Sequence, residues 1–94
     1  MSGIITRSVE LVFFIPHARS LKEKRMVARC LIDKARHRFN ASVAEVDTQE
    51  LHQKLTIGVA VVSGDGAHAL AMLEEIVRAM EETADAELVS IRYE

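Results

Sequence analysis

The chain has 94 residues, of which 49% are hydrophobic and 28% charged, and its formal net charge is −2. This length predicts a single domain over residues 1–94, and high apolar content with low net charge excludes an intrinsically disordered chain. The longest apolar run, residues 11–15, is too short to cross a bilayer, and the first residues lack the pattern of a secretory signal. One cysteine, Cys30, excludes an internal disulfide framework and fits a reducing compartment. We therefore expect a cytoplasmic protein without a membrane partner.

The first third of the sequence predicts a strand followed by a helix. Residues 4–15 are apolar and β-branched with partial alternation, and Pro16 ends this strand because proline cannot donate to a ladder. Ser20 and Glu23 have the spacing of a capping box, in which the serine caps the helix and the glutamate reaches back. Asn40, which tolerates a left-handed conformation, is expected to end the helix.

The predicted first helix has an apolar stripe and a basic flank. At 100° per residue, five residues fall in the stripe that we expect to be buried: Leu21, Ala28, Ile32, Ala35 and Phe39. Four cations fall together on one side of that stripe: Lys22, Arg25, Arg29 and Arg36. Residues 19–40 hold eight Lys or Arg and two Asp or Glu, a net of +6, whereas the remainder holds four and twelve, a net of −8. Such an asymmetry bears on the partners of the protein rather than on its fold.

The rest of the chain predicts two strands, a helix and a last strand. The strands are Ser42–Asp47 and Leu55–Val62, Asp65 caps the helix that runs from Ala67 to about Thr83, and Glu87–Tyr93 alternates as the final strand. The order βαββαβ, with right-handed crossovers, predicts an α+β ferredoxin-like plait. Its four-stranded antiparallel sheet should have the order 4-1-3-2, with both helices on one face and the other face open.

Three stretches of the sequence carry a family resemblance: SLKEKR (Ser20–Arg25), RFNASVAEVD (Arg38–Asp47) and AELVSIRYE (Ala86–Glu94). They resemble the small bacterial YlxP-like family, domain-of-unknown-function family 503, over nearly the whole chain. The resemblance implies the same plait and an operon setting linked to transcription termination, ribosome maturation and translation initiation. It implies no established activity, cofactor or catalytic residue. His52 stands where relatives are expected to have tryptophan, so any contact made by that tryptophan would be altered here.

The start of the first helix is the leading candidate site. A phosphate there would meet unbonded N–H groups, the positive end of the helix dipole and nearby cations. The candidate anion- or nucleic-acid-binding residues are His17, Arg19, Lys22, Lys24, Arg25, Arg29 and Arg36. They predict a binding protein that contacts phosphates of ribosomal RNA or a ribosomal subunit. The alternative is that these cations are solvated, with Arg25 paired to Glu45 or Asp47.

Other chemistry is weakly indicated. Glu45 and Asp47 are predicted on one strand face, where they could act in general acid/base catalysis or bind a hard cation. Structural ion pairing of these carboxylates with cations of the first helix is favoured. The four histidines lack the spacing of a zinc site, so we expect no metal, no cofactor, no catalytic residue and no enzyme activity.

A second hypothesis belongs to a different class, a homodimeric interaction module. Val12, Phe14 and Val62 would form an apolar patch on the open sheet face, and such patches mark interfaces.

Overall fold

A computed structural model of the chain describes residues 3–94. These residues form β1 (Ile5–Phe14), α1 (Leu21–Arg38), β2 (Ser42–Asp47), β3 (Lys54–Ser63), α2 (Gly66–Thr83) and β4 (Glu87–Tyr93). All strand pairs are antiparallel, and the order across the sheet is β2-β3-β1-β4. The predicted ferredoxin-like α+β plait is therefore confirmed, with the predicted strand order.

The alternation of each strand decides which side chains enter the core. Successive side chains of a strand point to opposite faces, so every second residue of β1 and β3 meets the helices. The strand side chains buried on that face are Val9, Leu11, Phe13, Val43, Leu55, Ile57, Val59 and Val61. The helices cover them with α1 against β2 and α2 against β1 and β3. The edge strand β4 is exposed along almost its whole length, except at Leu88, which is half-buried against the core.

The N-termini of both helices have side-chain caps. Ser20 Oγ accepts the Glu23 N–H at 3.2 Å, and Glu23 Oε2 accepts the Arg19 N–H at 2.6 Å, one residue before the N-cap. Asp65 Oδ1 accepts the N–H of Ala67 at 3.0 Å. The left-handed ending expected at Asn40 is wrong. Helix α1 ends on an extended cap at residue 39, and within residues 3–94 the one non-glycine residue with positive φ is Thr48, at 56°.

The buried side of α1 is rotated from the predicted stripe by about 40° at 100° per residue. The buried residues of α1 are Lys24, Ala28, Leu31 and Ala35, whereas Leu21, Ile32 and Phe39 are half-buried. The difference arises because Lys24 occupies the centre of the buried side, and a pattern based on apolar residues does not predict that a lysine is buried. The same rotation turns the basic flank further away from the core.

Candidate anion-binding site

Three exposed cations follow one another along α1 without an acidic partner. Lys22, Arg25 and Arg29 are all exposed, and none of them forms an ion pair with a carboxylate within residues 3–94. Arg25 and Arg29 line a shallow depression of about 510 Å³ between α1 and β2, together with Ala44. We call Lys22, Arg25, Arg29 and Arg36 the basic flank. It spans fourteen residue steps, about 21 Å along the helix axis.

Arg36 closes the C-terminal end of the basic flank and is anchored to the sheet. Its Nε and Nη2 donate to the carbonyl oxygen of Val43, at 3.1 and 2.6 Å. A guanidinium has five N–H donors, so these two bonds fix its plane and leave donors for a further acceptor. Arg36 therefore ties α1 to the edge strand β2 while it remains exposed.

Three of the four carboxylates near the basic flank, those of Glu23, Glu45 and Asp47, have other contacts. Glu23 caps the start of α1 through the Arg19 N–H, and Glu45 lies 2.9 Å from Lys24 Nζ. Asp47 accepts the Thr48 N–H at 2.7 Å. Asp33 lines the depression beside Arg29 and forms no ion pair of 4 Å or less in the described chain. The pairing of Arg25 with Glu45 or Asp47 that we considered is therefore not formed.

Lys24 does not belong to the exposed site, contrary to the prediction. Its side chain has 0% relative exposure, because the rotation of α1 directs it onto the β2–β3 connection. Its ammonium group donates to the carbonyl oxygens of Thr48 at 2.6 Å, Lys54 at 3.2 Å and Gln49 at 3.3 Å. A phosphate in solvent cannot reach this ammonium, and its role is to hold residues 48–54 against α1.

The Lys24 contacts explain a strained residue in the same connection. Thr48 has a left-handed backbone, which costs a β-branched residue roughly 1–3 kcal/mol. Its carbonyl binds Lys24, and its hydroxyl lies 2.9 Å from the hydroxyl of the buried Thr56. The N–H of Leu51 donates to the same carbonyl at 3.0 Å. Five interactions, counting those with Asp47 and the Lys54 carbonyl, thus hold Thr48 in this conformation.

A β-bulge separates the two candidate carboxylates of β2. Glu45 lies opposite Ile57, on the helix side of the sheet, whereas Asp47 lies opposite Thr56, on the open side. One extra residue between them reverses the alternation. The prediction that Glu45 and Asp47 share a strand face is therefore wrong, and the two carboxylates cannot act on one ligand as a pair.

The remaining predicted cations lie apart from the basic flank. His17 Nε2 is 3.2 Å from Asp85 Oδ2, beside a groove of about 380 Å³ between α1 and the C-terminal end of α2. Met26 and Cys30 line the same groove, on the side of α1 away from the depression. Arg19 is exposed and precedes the helix. Of the seven predicted residues, the structure thus brings together Lys22, Arg25, Arg29 and Arg36.

On the open sheet face, Val62 lies far from the other two residues of the predicted dimer patch. Phe14 is 39% exposed and Val62 is 64% exposed, while Val12 is half-buried. Val62 pairs with Thr6, six residues along β1 from Val12, which corresponds to about 20 Å. Phe14 and Val12 instead share a depression with Leu51 and Val89, between the β2–β3 connection and β4.

The described residues contain neither a metal-binding cluster nor a membrane-spanning helix. Within residues 3–94, no group of three His, Cys, Asp or Glu side chains could hold a metal ion. No helix in this part of the chain is both long and apolar enough to cross a membrane.

The fold and the flank define a small plait protein with a row of exposed cations on its first helix. The chain belongs to the family "Protein of unknown function (DUF503)", whose model matches residues 6–93. It is 29% identical over 77 residues to the uncharacterized protein YlxP of Bacillus subtilis (strain 168), covering 82% of this chain and 84% of that protein. A solved structure, the de novo designed protein Ferredog-Diesel, aligns with 96% of this chain and 84% of its own at 10% identity and a TM-score of 0.48.

Proposed function

We propose that this protein is a non-enzymatic cytoplasmic RNA-binding protein, and that the basic flank of α1 contacts phosphates of ribosomal RNA or a ribosomal subunit. The observation that carries the proposal is that Lys22, Arg25 and Arg29 are exposed side by side without acidic partners in residues 3–94. Surface cations that serve solubility alone are commonly interspersed with acidic residues. Here Glu23, Glu45 and Asp47 have other contacts, and Asp33 forms no ion pair with the basic flank within residues 3–94.

The shape of the basic flank favours a polyanion over a single phosphate. Its four cations extend over about 21 Å of helix, far more than one phosphate group can contact. No aromatic stacking surface is needed for such binding, because backbone phosphates supply most of the affinity of sequence-independent complexes. Arg36, already held by Val43, would meet a phosphate with little loss of side-chain freedom.

The charge of the rest of the molecule would orient the complex. Outside residues 19–40 the net charge is −8, so a polyanion is attracted to one side and repelled from the others. The resemblance to the YlxP-like family adds the translation-linked gene setting and favours ribosomal RNA among possible polyanions.

The test is a salt titration of RNA binding. Fluorescence anisotropy of a labelled ribosomal RNA hairpin would be measured from low to moderate KCl for the wild type and for Arg25→Ala/Arg29→Ala. Each lost phosphate contact lowers the slope of log affinity against log salt by roughly 0.7–0.9, so the double variant should lose roughly 1.4–1.8. Wild-type binding that is undetectable at low salt, to the hairpin and to purified subunits alike, contradicts the proposal.

A matched control has the same change in net charge at another place. Lys34→Ala/Arg78→Ala also removes two exposed cations, one from the groove side of α1 and one from α2. It should keep most of the wild-type slope. If the control loses as much as Arg25→Ala/Arg29→Ala, binding follows total charge and the basic flank has no special role.

The alternative function, a homodimeric module assembled through the open sheet face, has one supporting observation. Phe14 exposes its ring beside Val12 in the depression that also contains Leu51 and Val89. The distance of Val62 from this group weighs against a face-to-face interface built from all three predicted residues. A Phe14→Ser variant that leaves the solution mass of the wild type unchanged would count against this alternative.

A further inference from the structure

The edge strand β4 exposes more apolar side chain than its neighbours. Val89, Ile91 and Tyr93 are 59%, 46% and 40% exposed, although they belong to a strand that is paired with β1. The helices pack mainly over β1, β2 and β3, and on the helix side of β4 Leu88 is half-buried against the core whereas Ile91 and Tyr93 are exposed. Exposed edge strands with apolar side chains are templates for pairing with another chain.

The two edges of the sheet differ in their protection. At the β2 edge, Arg36 donates twice to the Val43 carbonyl and a bulge precedes Asp47. The β4 edge has a bulge between Leu88 and Ser90 but no proline, no lysine and no covering element. The weaker protection of the β4 edge points to β4 as the edge that meets a partner.

The backbone pattern shows which groups of β4 point outward. Glu94 exchanges both backbone hydrogen bonds with Ser8, so the alternate residues Tyr93 and Ile91 direct their N–H and C=O groups away from β1. Ile15, an odd-numbered residue that continues β1, donates toward β3, at Gln53. Leu88 lies opposite the odd-numbered Phe13, so its backbone groups also point outward.

We propose that β4 pairs antiparallel, edge to edge, with β4 of a second copy of this chain, with the two-fold axis at the Val89–Ser90 bulge. In this register Leu88 lies opposite the partner's Ile91, and these are the residues whose backbone groups point outward. Both face the helix side, because they lie opposite Phe13 and Leu11 of β1. Glu87 lies opposite the partner's Arg92, on the open face. Because of the two-fold symmetry, this pair of opposite charges occurs twice in the dimer.

The charged residues of β4 favour this register over the next one. Moving the axis to lie between Ser90 and Ile91 would place Glu87 opposite the partner's Glu94 and lose the pairs with Arg92. Arg92 is 67% exposed at its side chain, so it can turn toward the partner's Glu87 although it contacts Glu10 at 2.7 Å. Val89 of both copies would meet near the axis and join the two depressions that contain Phe14. A second copy thus supplies the cover that β4 lacks.

The test is the solution mass of the full chain by sedimentation equilibrium between about 5 and 200 μM. The wild type should approach twice 10.5 kDa as concentration rises. Ile91→Lys should stay at one chain mass, whereas Val62→Lys, a matched change at an exposed valine away from β4, should still dimerise. A wild type at one chain mass throughout, or an Ile91→Lys variant that dimerises like the wild type, overturns the proposal. Loss of the dimer in Val62→Lys alone overturns it in favour of the open face.

Two further measurements do not depend on the fold of Ile91→Lys. Glu87→Lys should weaken dimerisation roughly tenfold, while Glu82→Lys, the same charge change on α2, should not. In the wild type, hydrogen exchange at the N–H groups of Ile91 and Tyr93 should slow as concentration rises. Exchange there that is independent of concentration, in a sample that dimerises, would place the interface elsewhere.

Discussion

Replacing Lys24 with methionine tests the structural role assigned to this buried lysine. Methionine keeps much of the apolar stem and removes the ammonium group that holds the β2–β3 connection. The substitution leaves the carbonyl groups of Thr48, Gln49 and Lys54 without their donor, and it leaves the Glu45 carboxylate, 20% exposed, beside an uncharged side chain. We therefore expect a large loss of stability.

The magnitude follows from the burial of the pair. Removing one member of a buried ion pair costs about 3–5 kcal/mol, and the partial exposure of Glu45 favours the lower end. A loss of about 3 kcal/mol corresponds to a fall of roughly 12–24 °C in Tm for a chain of this size. The whole free energy of unfolding of such a domain is about 5–14 kcal/mol, so the variant should be only marginally folded.

Urea unfolding followed by circular dichroism, at one fixed protein concentration, measures this loss. Lys22→Met is the matched control, since it makes the same change two residues away, at an exposed position on another side of α1. Its free energy of unfolding should lie within about 0.5 kcal/mol of the wild-type value. Glu45→Gln, which keeps an acceptor near Lys24, should cost less than Lys24→Met. A Lys24→Met variant within about 1 kcal/mol of the wild type would refute the assigned role.

Two further predictions concern the bulge and the strained connection next to it. Gly58→Ala should lower the free energy of unfolding by about 1 kcal/mol, because the new Cβ would lie 2.9 Å from Val46 Cγ1. Adding Val46→Ala should recover the lost stability in a double-mutant cycle, and additive effects of the two substitutions would contradict this contact. Thr48→Gly and Thr48→Val both remove the hydroxyl partner of Thr56, but only glycine adopts the positive φ without strain. Thr48→Gly should therefore be about 1 kcal/mol more stable than Thr48→Val in urea unfolding. Equal stabilities would mean that the left-handed backbone stores no strain.

Much of the fold was predictable because its signals are local. Alternation in β1 and β3, the break at Pro16 and the caps at Ser20 and Asp65 each depend on residues within a few positions of one another. The order βαββαβ then allows few ways to bury the apolar faces, since crossovers have one hand. These observations predicted the plait, its strand order and the open sheet face without further information.

The site was only partly predictable, since its residues are set by contacts across the chain. The sequence alone determined that cations cluster on one side of α1, because helical periodicity is a local property. Only the tertiary structure decided that Lys24 turns inward, where the carbonyl groups of residues 48–54, remote in sequence, compensate a buried charge. It also decided that Glu45 is taken by Lys24, that a bulge sends Asp47 to the other face, and that Arg25 and Arg29 consequently remain without acidic partners within residues 3–94.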